Sequence, residues 1–141
     1  MADPSMERML QRAKLRKTPA RMGVLGILSE ATAPLGASDI LGKMPPHADS
    51  VTVYRTLNSL VKKGVIHRVR GEDRIWRYAV SEAKESHAQQ HPHFICDGCG
   101  RIECVKEVTF PGDFLKLLKT NKRRLVTYAE VMLHGTCPKC Q

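Results

Sequence analysis

Apolar residues in the first 63 positions recur every three to four residues, which is the period of amphipathic helices. They predict a helix over residues 6–15 and a second helix that begins at Pro19, with Thr18 as its N-cap. A third, short helix is expected to start with Ser38 as its cap, and a fourth to run from Ser50 to Lys63. The N-terminal half of the chain is therefore predicted to be largely helical.

The apolar positions of these helices also predict which side chains form the core. In the fourth helix, Val53, Leu57 and Leu60 recur at i, i+4 and i+7 and define a buried stripe. The polar positions around this stripe are expected on the open face of the helix: Ser50, Thr52, Arg55, Thr56, Ser59 and Lys62. The expected stripe of the second helix consists of Met22, Leu25 and Leu28.

After Gly64 the pattern changes to the alternation of β-strands. VIHRV and IWRYAV are two such segments on either side of the turn GEDR, which predicts a hairpin. Helices followed by a hairpin are the order of a winged helix-turn-helix domain, which we expect over residues 1–80.

The remainder of the chain predicts a linker and a second, smaller domain. Residues 81–90 have no apolar side chain larger than alanine and are expected to form a hinge. Beyond them, HFIC, RIECV and LVTYAEVMLH have strand-like patterns, and DFLKLLK has the pattern of a short amphipathic helix. We expect the first two strands to pair. Residues 91–141 are thus predicted to form a small α/β domain, which makes the whole chain α+β.

Neither a membrane span nor a signal peptide is predicted. No apolar run approaches the roughly 18 residues that a transmembrane helix needs, and the N-terminus has no apolar signal-peptide core. The expected location is the cytoplasm.

Most of the excess basic charge lies in the first half of the chain. The 141 residues include 23 Lys and Arg against 14 Asp and Glu, a formal net charge of +9. Up to Val80 there are 14 basic against 7 acidic residues, and after it 9 against 7. Such a module typically binds nucleic acid, although a charged surface that only maintains solubility is the alternative.

All five cysteines lie in the second half, and four of them form two C-x-x-C pairs: Cys96, Cys99, Cys137 and Cys140. Four thiolates satisfy the tetrahedral coordination of zinc and leave no position open for water, which is typical of a structural site. In a cytosolic chain this spacing favours metal over disulfides, with redox-active dithiols as the alternative.

A second set of metal-binding side chains lies around the predicted hinge. His91 and His93 are two apart on a strand and therefore face the same side, and Cys104 lies on the strand expected beside them. Other candidate ligands are His67 on the first wing strand and Glu85 and His87 in the hinge. Singly, each is more often a surface or core residue. Together they predict a second site, and imidazole with thiolate favours zinc.

The motifs of nearly the whole chain resemble those of the ferric uptake regulator family of bacterial metal-dependent repressors. The resemblance rests on RKTPAR followed by VLGIL, on SVTVYRTLNSLVKKGVIHRV, on HPHFICDGCG and on HGTCPKC. It implies a homodimer that binds a double-stranded DNA operator when a sensory metal occupies the hinge, with His91 and His93 among the ligands.

Within the family, the candidate ligands are most similar to those of zinc uptake regulators. His67 stands where those regulators carry a ligand, and Cys104 stands where a carboxylate is common. The loop ATAPLGAS lacks the histidine usual in iron and peroxide sensors. Glu85 matches the usual hinge ligand, with His87 as a rival. We expect zinc-responsive repression of metal uptake genes, with an iron- or peroxide-responsive regulator as the alternative.

The resemblance also implies which residues contact DNA. Tyr54 and Arg55 are expected to read bases from the recognition helix, although Tyr54 could instead be a core aromatic. Contacts to phosphates are expected from Thr52, Arg16, Lys17, Arg21, Arg70 and Arg74.

Two other classes of function compete with a regulator. One is a zinc-dependent enzyme with His91, His93 and Cys104 as ligands and Glu85 as general base. The other is a zinc-stapled interaction module without a DNA function. No substrate pocket is implied, and a basic helical domain is an unusual companion for a zinc enzyme, so we do not expect an enzyme.

Overall fold

The computed structural model describes residues 3–81, 91–108 and 130–141. The chain divides into two units, Met1–Glu82 and Ala83–Gln141. Elements of the N-terminal unit are α1 (Pro4–Arg12), α2 (Pro19–Glu30), β1 (Leu35–Gly36), α3 (Ala37–Lys43), α4 (Ser50–Lys62), β2 (Ile66–Arg70) and β3 (Trp76–Val80). Described elements of the C-terminal unit are β4 (His93–Cys96), β5 (Ile102–Cys104) and β6 (Met132–Gly135). Among the described helices, none has the length and hydrophobicity to cross a membrane.

Side-chain caps determine where the longer helices begin. The Thr18 hydroxyl accepts a hydrogen bond from the backbone N–H of Arg21 at 3.2 Å at the start of α2, as predicted. Asp49 caps α4 in the same way, because its carboxylate accepts from the N–H of Thr52 at 3.1 Å. Gly64, with φ of 72°, follows the C-terminus of α4 in the left-handed conformation that glycine favours.

The prediction for the start of the third helix is wrong. Ser38 lies within α3, and the N-cap is Gly36, which makes no side-chain capping bond. Gly36 also belongs to β1, so the chain passes directly from strand into helix. Sheet pairing of the preceding residues, rather than a serine cap, positions this helix.

A core of helix and hairpin side chains fills the N-terminal unit. Its buried apolar residues are Leu10, Val24, Leu25, Leu28, Ile40, Val53, Leu57, Leu60, Val65, Ile66 and Tyr78. The predicted stripe of α4 is confirmed. Thr56, however, is buried rather than on the open face, with 7% of its surface exposed. It lies three residues after Val53 and four before Leu60, which places it beside both of them at one edge of the stripe.

The buried face of α2 is rotated from the expected one. Val24 is fully buried, whereas Met22 is only partly buried against the core. Val24 and Leu28 are four residues apart and therefore lie above one another on the helix, with Leu25 beside them. The stripe thus runs through Val24 and Leu28 instead of through Met22.

Three antiparallel strands form the sheet of the N-terminal unit in the order β1-β3-β2. The predicted hairpin is confirmed, and Arg70 pairs with Trp76 next to its turn. The two-residue strand β1 adds Leu35 opposite Tyr78, which the sequence did not predict. Such a short segment shows no alternation that could reveal it.

The strands of the C-terminal unit have the order β5-β4-β6. β4 pairs with β5, as predicted. The two strands are antiparallel, and the register places His93 opposite Cys104. β6 pairs parallel to β4 with Cys96 opposite Gly135. The predicted helix DFLKLLK, the first part of the third predicted strand, and residues 82–90 of the hinge lie outside the described residues.

Replacing Thr18 by alanine is expected to lower the free energy of unfolding by about 1 kcal/mol, because the N-terminus of α2 loses its capping oxygen. Thr18→Ser is the matched control, since serine keeps that oxygen. Chemical denaturation followed by circular dichroism measures both variants. A Thr18→Ala protein as stable as the wild type would contradict the capping role.

Candidate metal centres and nucleic-acid interface

The two C-x-x-C pairs meet in the C-terminal unit. Cys96 ends β4, Cys99 lies in the turn that follows, and Cys137 and Cys140 flank the last turn of the chain. The four sulfurs lie within 4.8 Å of one another, and those of Cys99 and Cys137 are 3.8 Å apart. A tetrahedron of sulfurs about zinc, with bonds of about 2.3 Å, has an edge of about 3.8 Å. The donor set and its spacing therefore fit zinc.

Backbone amides and crowded thiols set the electrostatics of this cluster. The N–H of Cys137 donates to the sulfur of Cys96 at 3.3 Å, and this bond, with help from the N–H of Cys99, lowers the pKa of Cys96 to about 6. Contact with the neighbouring thiols, first that of Cys137, raises the pKa of Cys140 to about 12. Four thiolates at this distance repel one another, so a cation is needed to hold them all ionised.

Glycines let the first pair close around this cluster. A Cβ atom at Gly98 would lie 3.0 Å from the Cβ and 3.1 Å from the sulfur of Cys140. Gly100 has φ of 74°, a conformation that other residues adopt with strain. Both glycines of the turn are thus required by its geometry.

His91, His93 and Cys104 form a second cluster within the same unit. One ligand atom of each lies within 4.8 Å of the others, and the two imidazole rings have centroids 4.8 Å apart. Both histidines are buried. The pKa of His93 is lowered to about 4, first by burial and then by the charge of His91. At neutral pH this imidazole is uncharged, which is the form that binds a metal ion.

The remaining candidate ligands are placed less completely. His67 lies half-buried on β2 of the N-terminal unit, with its Nδ1 3.4 Å from the hydroxyl oxygen of Ser81. Glu85 and His87 lie outside the described residues. The choice between these two hinge residues therefore stays a prediction, and so does the role of His67.

The exposed side of α4 carries the expected base-reading residues. Tyr54 has 49% of its surface exposed and Arg55 is exposed as well, so the alternative of a core aromatic at position 54 is wrong. Thr52 is also exposed, and its hydroxyl donates to the Asp49 carboxylate at 3.1 Å. These side chains lie opposite the buried stripe of the helix and are accessible to a ligand.

The other basic candidates lie around the start of α2 and at the hairpin turn. The Arg21 guanidinium donates to the carbonyl of Arg16, and Lys17 pairs with Glu7. In the hairpin, Nε of Arg70 donates to the carbonyl of Arg74 at 3.2 Å. Arg74 has φ of 63°, the left-handed region, at the turn. Two of these cations, Arg21 and Arg70, are therefore held in defined positions by backbone carbonyls.

We did not predict from the sequence that two arginines of the hairpin lie over one tryptophan ring. The guanidinium of Arg68 lies over the ring of Trp76 at 4.2 Å from its centroid, and that of Arg70 lies at 5.5 Å. Arginines two apart on one strand, facing a tryptophan on the next, are the signal that could have revealed this arrangement.

Comparison with known proteins gives one consistent result. The sequence model described as "Ferric uptake regulator family" matches residues 12–131. The zinc uptake regulation protein of Escherichia coli (strain K12) is 27% identical over 139 residues, covering 95% of this chain and 78% of that protein. A ferric uptake regulation protein of Bacillus subtilis is 25% identical over 139 residues, covering 96% and 91%.

Solved structures are similar as well. The structure described as a zinc uptake regulator complexed with zinc and DNA has a TM-score of 0.72 and 27% identity, covering 96% of this chain and 90% of that one. The ferric uptake regulator of Vibrio cholerae has a TM-score of 0.61 at 22% identity, covering 93% and 98%, which supports the fold.

Replacing Cys96 by serine is expected to remove the structural metal and to destabilise the C-terminal unit, because the closed cluster then lacks one of its four thiolates. Cys104→Ser is the matched comparison. The Cys104→Ser protein should keep one tightly bound zinc per chain. Its thermal stability should equal that of wild-type protein with zinc in the four-cysteine site and no metal in the second cluster. Metal analysis and thermal unfolding measure both variants. Equal loss of folding in the two would contradict the separation of the clusters.

Proposed function

Because this chain belongs to the ferric uptake regulator family, it is a metal-responsive transcription regulator, and we propose that zinc is the metal to which it responds. In this proposal it acts in the cytoplasm as a DNA-binding repressor of metal uptake genes. It performs no catalysis, and its partners are a second copy of the chain and an operator.

The single observation that carries the choice of zinc is the cluster of His91, His93 and Cys104. Two imidazoles and one thiolate suit zinc better than the oxygen ligands that harder ions prefer. The neighbouring carboxylate, Glu103, alternates to the other face of β5 and pairs with Arg101 at 2.9 Å. Relatives named for zinc uptake regulation support the same choice.

We propose that two further ligands connect this cluster to the rest of the chain. His67 comes from β2, and either Glu85 or His87 comes from the segment between the two units. Zinc supplies, when bound, a charged tetrahedral centre for imidazole, thiolate and carboxylate ligands. Ligands drawn from both sides of residues 81–90 would favour one arrangement of the winged-helix domain over others. The domains in this scheme are 1–80, 81–90 and 91–141.

The energy required for such a switch is modest. A change from 1:99 to 99:1 in the population of the binding-competent arrangement needs about 5.5 kcal/mol of differential affinity. Structural zinc sites in small peptides provide about 10–16 kcal/mol. A zinc ligand set that is complete in only one arrangement can therefore shift the equilibrium.

On the DNA side, we propose that the C-terminal units pair two chains, so that two α4 helices address two major-groove half-sites. Arg55 can donate two hydrogen bonds to a guanine edge, and the Tyr54 ring can pack on a thymine methyl group. Contacts to phosphates then come from Thr52, Arg16, Lys17, Arg21, Arg70 and Arg74. A relative described as bound to zinc and DNA supports this role.

Substitution of Arg55 by alanine is expected to reduce operator discrimination by about 1–3 kcal/mol for each base that the guanidinium reads. Zinc content should stay at two per chain. Fluorescence anisotropy with an operator selected from a random DNA library, and with an unrelated duplex, measures the ratio of affinities. Lys62→Ala, which removes a charge at the far end of α4, is the control. An unchanged ratio in Arg55→Ala would place base reading elsewhere.

Removal of the more weakly held zinc by a chelator is expected to reduce operator affinity by about 5- to 150-fold, the usual range of coupling between two sites. The four-cysteine metal should remain, as metal analysis of the same sample verifies. Operator affinity that is the same before and after removal would refute zinc-responsive binding.

A further inference from the structure

One face of the hairpin continues from the core to an exposed basic surface. Cross-strand partners share a face of a sheet, and the register pairs Ile66 with Val80, Arg68 with Tyr78, and Arg70 with Trp76. Ile66 and Tyr78 are buried in the core with the helices. Arg68, Arg70 and Trp76 extend the same face towards the turn and are exposed.

Trp76 holds the two arginines close together on this face. The residue is 36% exposed, and its ring lies under the guanidinium of Arg68 at 4.2 Å, with that of Arg70 at 5.5 Å. Stacking on the indole attracts a guanidinium and restricts its orientation. Two cations on one ring repel each other, so an anion bound between or beside them would be favoured. Duplex DNA presents such anions as phosphates.

This face is adjacent to the exposed side of α4. Burial raises the pKa of Tyr78, while the charge of Arg68 lowers it and the phenol of Tyr54 raises it. The hairpin packs against α4 in one core, which includes Leu57 and Leu60 of the helix and Ile66 and Tyr78 of the hairpin. Tyr54 is exposed on α4, and Arg68 is exposed on β2. The proposed base-reading helix and the strand that carries Arg68 are thus joined by one core.

The turn beyond Trp76 is held by its own contacts. The Asp73 carboxylate accepts from the N–H of Ile75 at 3.0 Å and from both terminal nitrogens of Arg77, at 2.6 and 3.0 Å. The Arg77 guanidinium lowers the pKa of Asp73 to about 2, with help from the Ile75 N–H. The carboxylate is therefore ionised at neutral pH, and the hairpin presents Trp76 from a defined backbone.

We propose that Arg68, stacked on Trp76, is a further DNA-contacting residue that binds a backbone phosphate beside α4, and that Trp76 is its positioning residue. The inference rests on the proposed function, because it requires that the chain bind DNA. Arg68 lies on β2, between α4 and the hairpin turn in the sequence. It therefore adds a phosphate contact to those proposed for the start of α2 and for the turn.

The test compares zinc-loaded, full-length variants on the selected operator over a range of salt concentrations. Each phosphate contact contributes about 0.9 to the slope of log affinity against log salt, so Arg68→Gln should lower the slope of a dimer by about two. The ratio of operator to unrelated-duplex affinity should hold. Arg101→Gln, which removes an exposed charge from the C-terminal unit, is the matched control and should leave the slope unchanged.

The positioning role has its own readout. Trp76→Phe keeps an aromatic face and should retain most of the affinity, whereas Trp76→Ala should weaken binding about as much as Arg68→Gln. The losses in the double variant should not add, because the ring acts through Arg68. Full additivity would overturn the positioning role, and thermal unfolding of each variant identifies any loss that is due to folding.

Fluorescence supplies a direct check, because Trp76 is the single tryptophan of the chain. Operator binding should protect its emission from acrylamide quenching. The phosphate contact would be overturned if quenching did not change on operator binding, or if Arg68→Gln left the salt slope unchanged. It would also be overturned if Arg68→Gln lost operator discrimination while the slope stayed the same. If the wild type shows no zinc-dependent DNA binding, the proposed function itself fails. If it binds and the variants do not differ from it, only this inference fails.

Discussion

The crowding of four cysteine sulfurs within 4.8 Å is the constraint on which the C-terminal unit depends. Thiolates at that distance repel one another, so a bound cation converts the repulsion into attraction and fixes the chain around it. Cys96 ends β4, and its strand pairs with both β5 and β6. The cluster therefore stabilises the strand whose first residue, His93, faces Cys104. A slip of one residue in that pairing would turn His93 to the other face of the sheet and separate the two proposed sensory ligands.

The N-terminal unit is constrained differently, by apolar packing. The core joins α4 to the hairpin through Leu57, Leu60, Ile66 and Tyr78, so the exposed side of the helix and the basic face of the hairpin are fixed relative to each other. A surface of this kind can make many phosphate contacts, and each adds salt-dependent affinity without adding sequence discrimination. In the proposed function, selectivity for an operator then rests on Tyr54 and Arg55, the side chains of α4 to which we assign base contacts. Control by a metal requires that this rigid reading unit be connected to the second cluster, which is the task we assign to His67 and the hinge.

Features set by local patterns could be predicted from the sequence. The period of α4, the hairpin and the two C-x-x-C pairs all depend on residues close together in the chain. Features that depend on pairing between distant segments could not. The two-residue strand β1 forms because it pairs with Tyr78 and Arg77 of β3, and its own sequence does not reveal it. Its second residue, Gly36, is the N-cap of α3 in place of the expected Ser38. The stack of Arg68 on Trp76 depends on the hairpin register in the same way. Thr56 shows that a polar side chain at the edge of an apolar stripe can be buried together with the apolar side chains beside it.

A sensory metal held by His91, His93 and Cys104 and coupled to DNA binding is the central proposal. Cobalt(II) tests it directly, because a cysteine thiolate bound to cobalt gives a charge-transfer absorption band. Protein with zinc already in the four-cysteine site is titrated with cobalt(II), while absorbance and operator affinity are followed together. We predict that the thiolate band saturates at one cobalt per chain, rises together with operator affinity, and is lost in Cys104→Ser. An increase in operator affinity without a thiolate band would contradict the proposal.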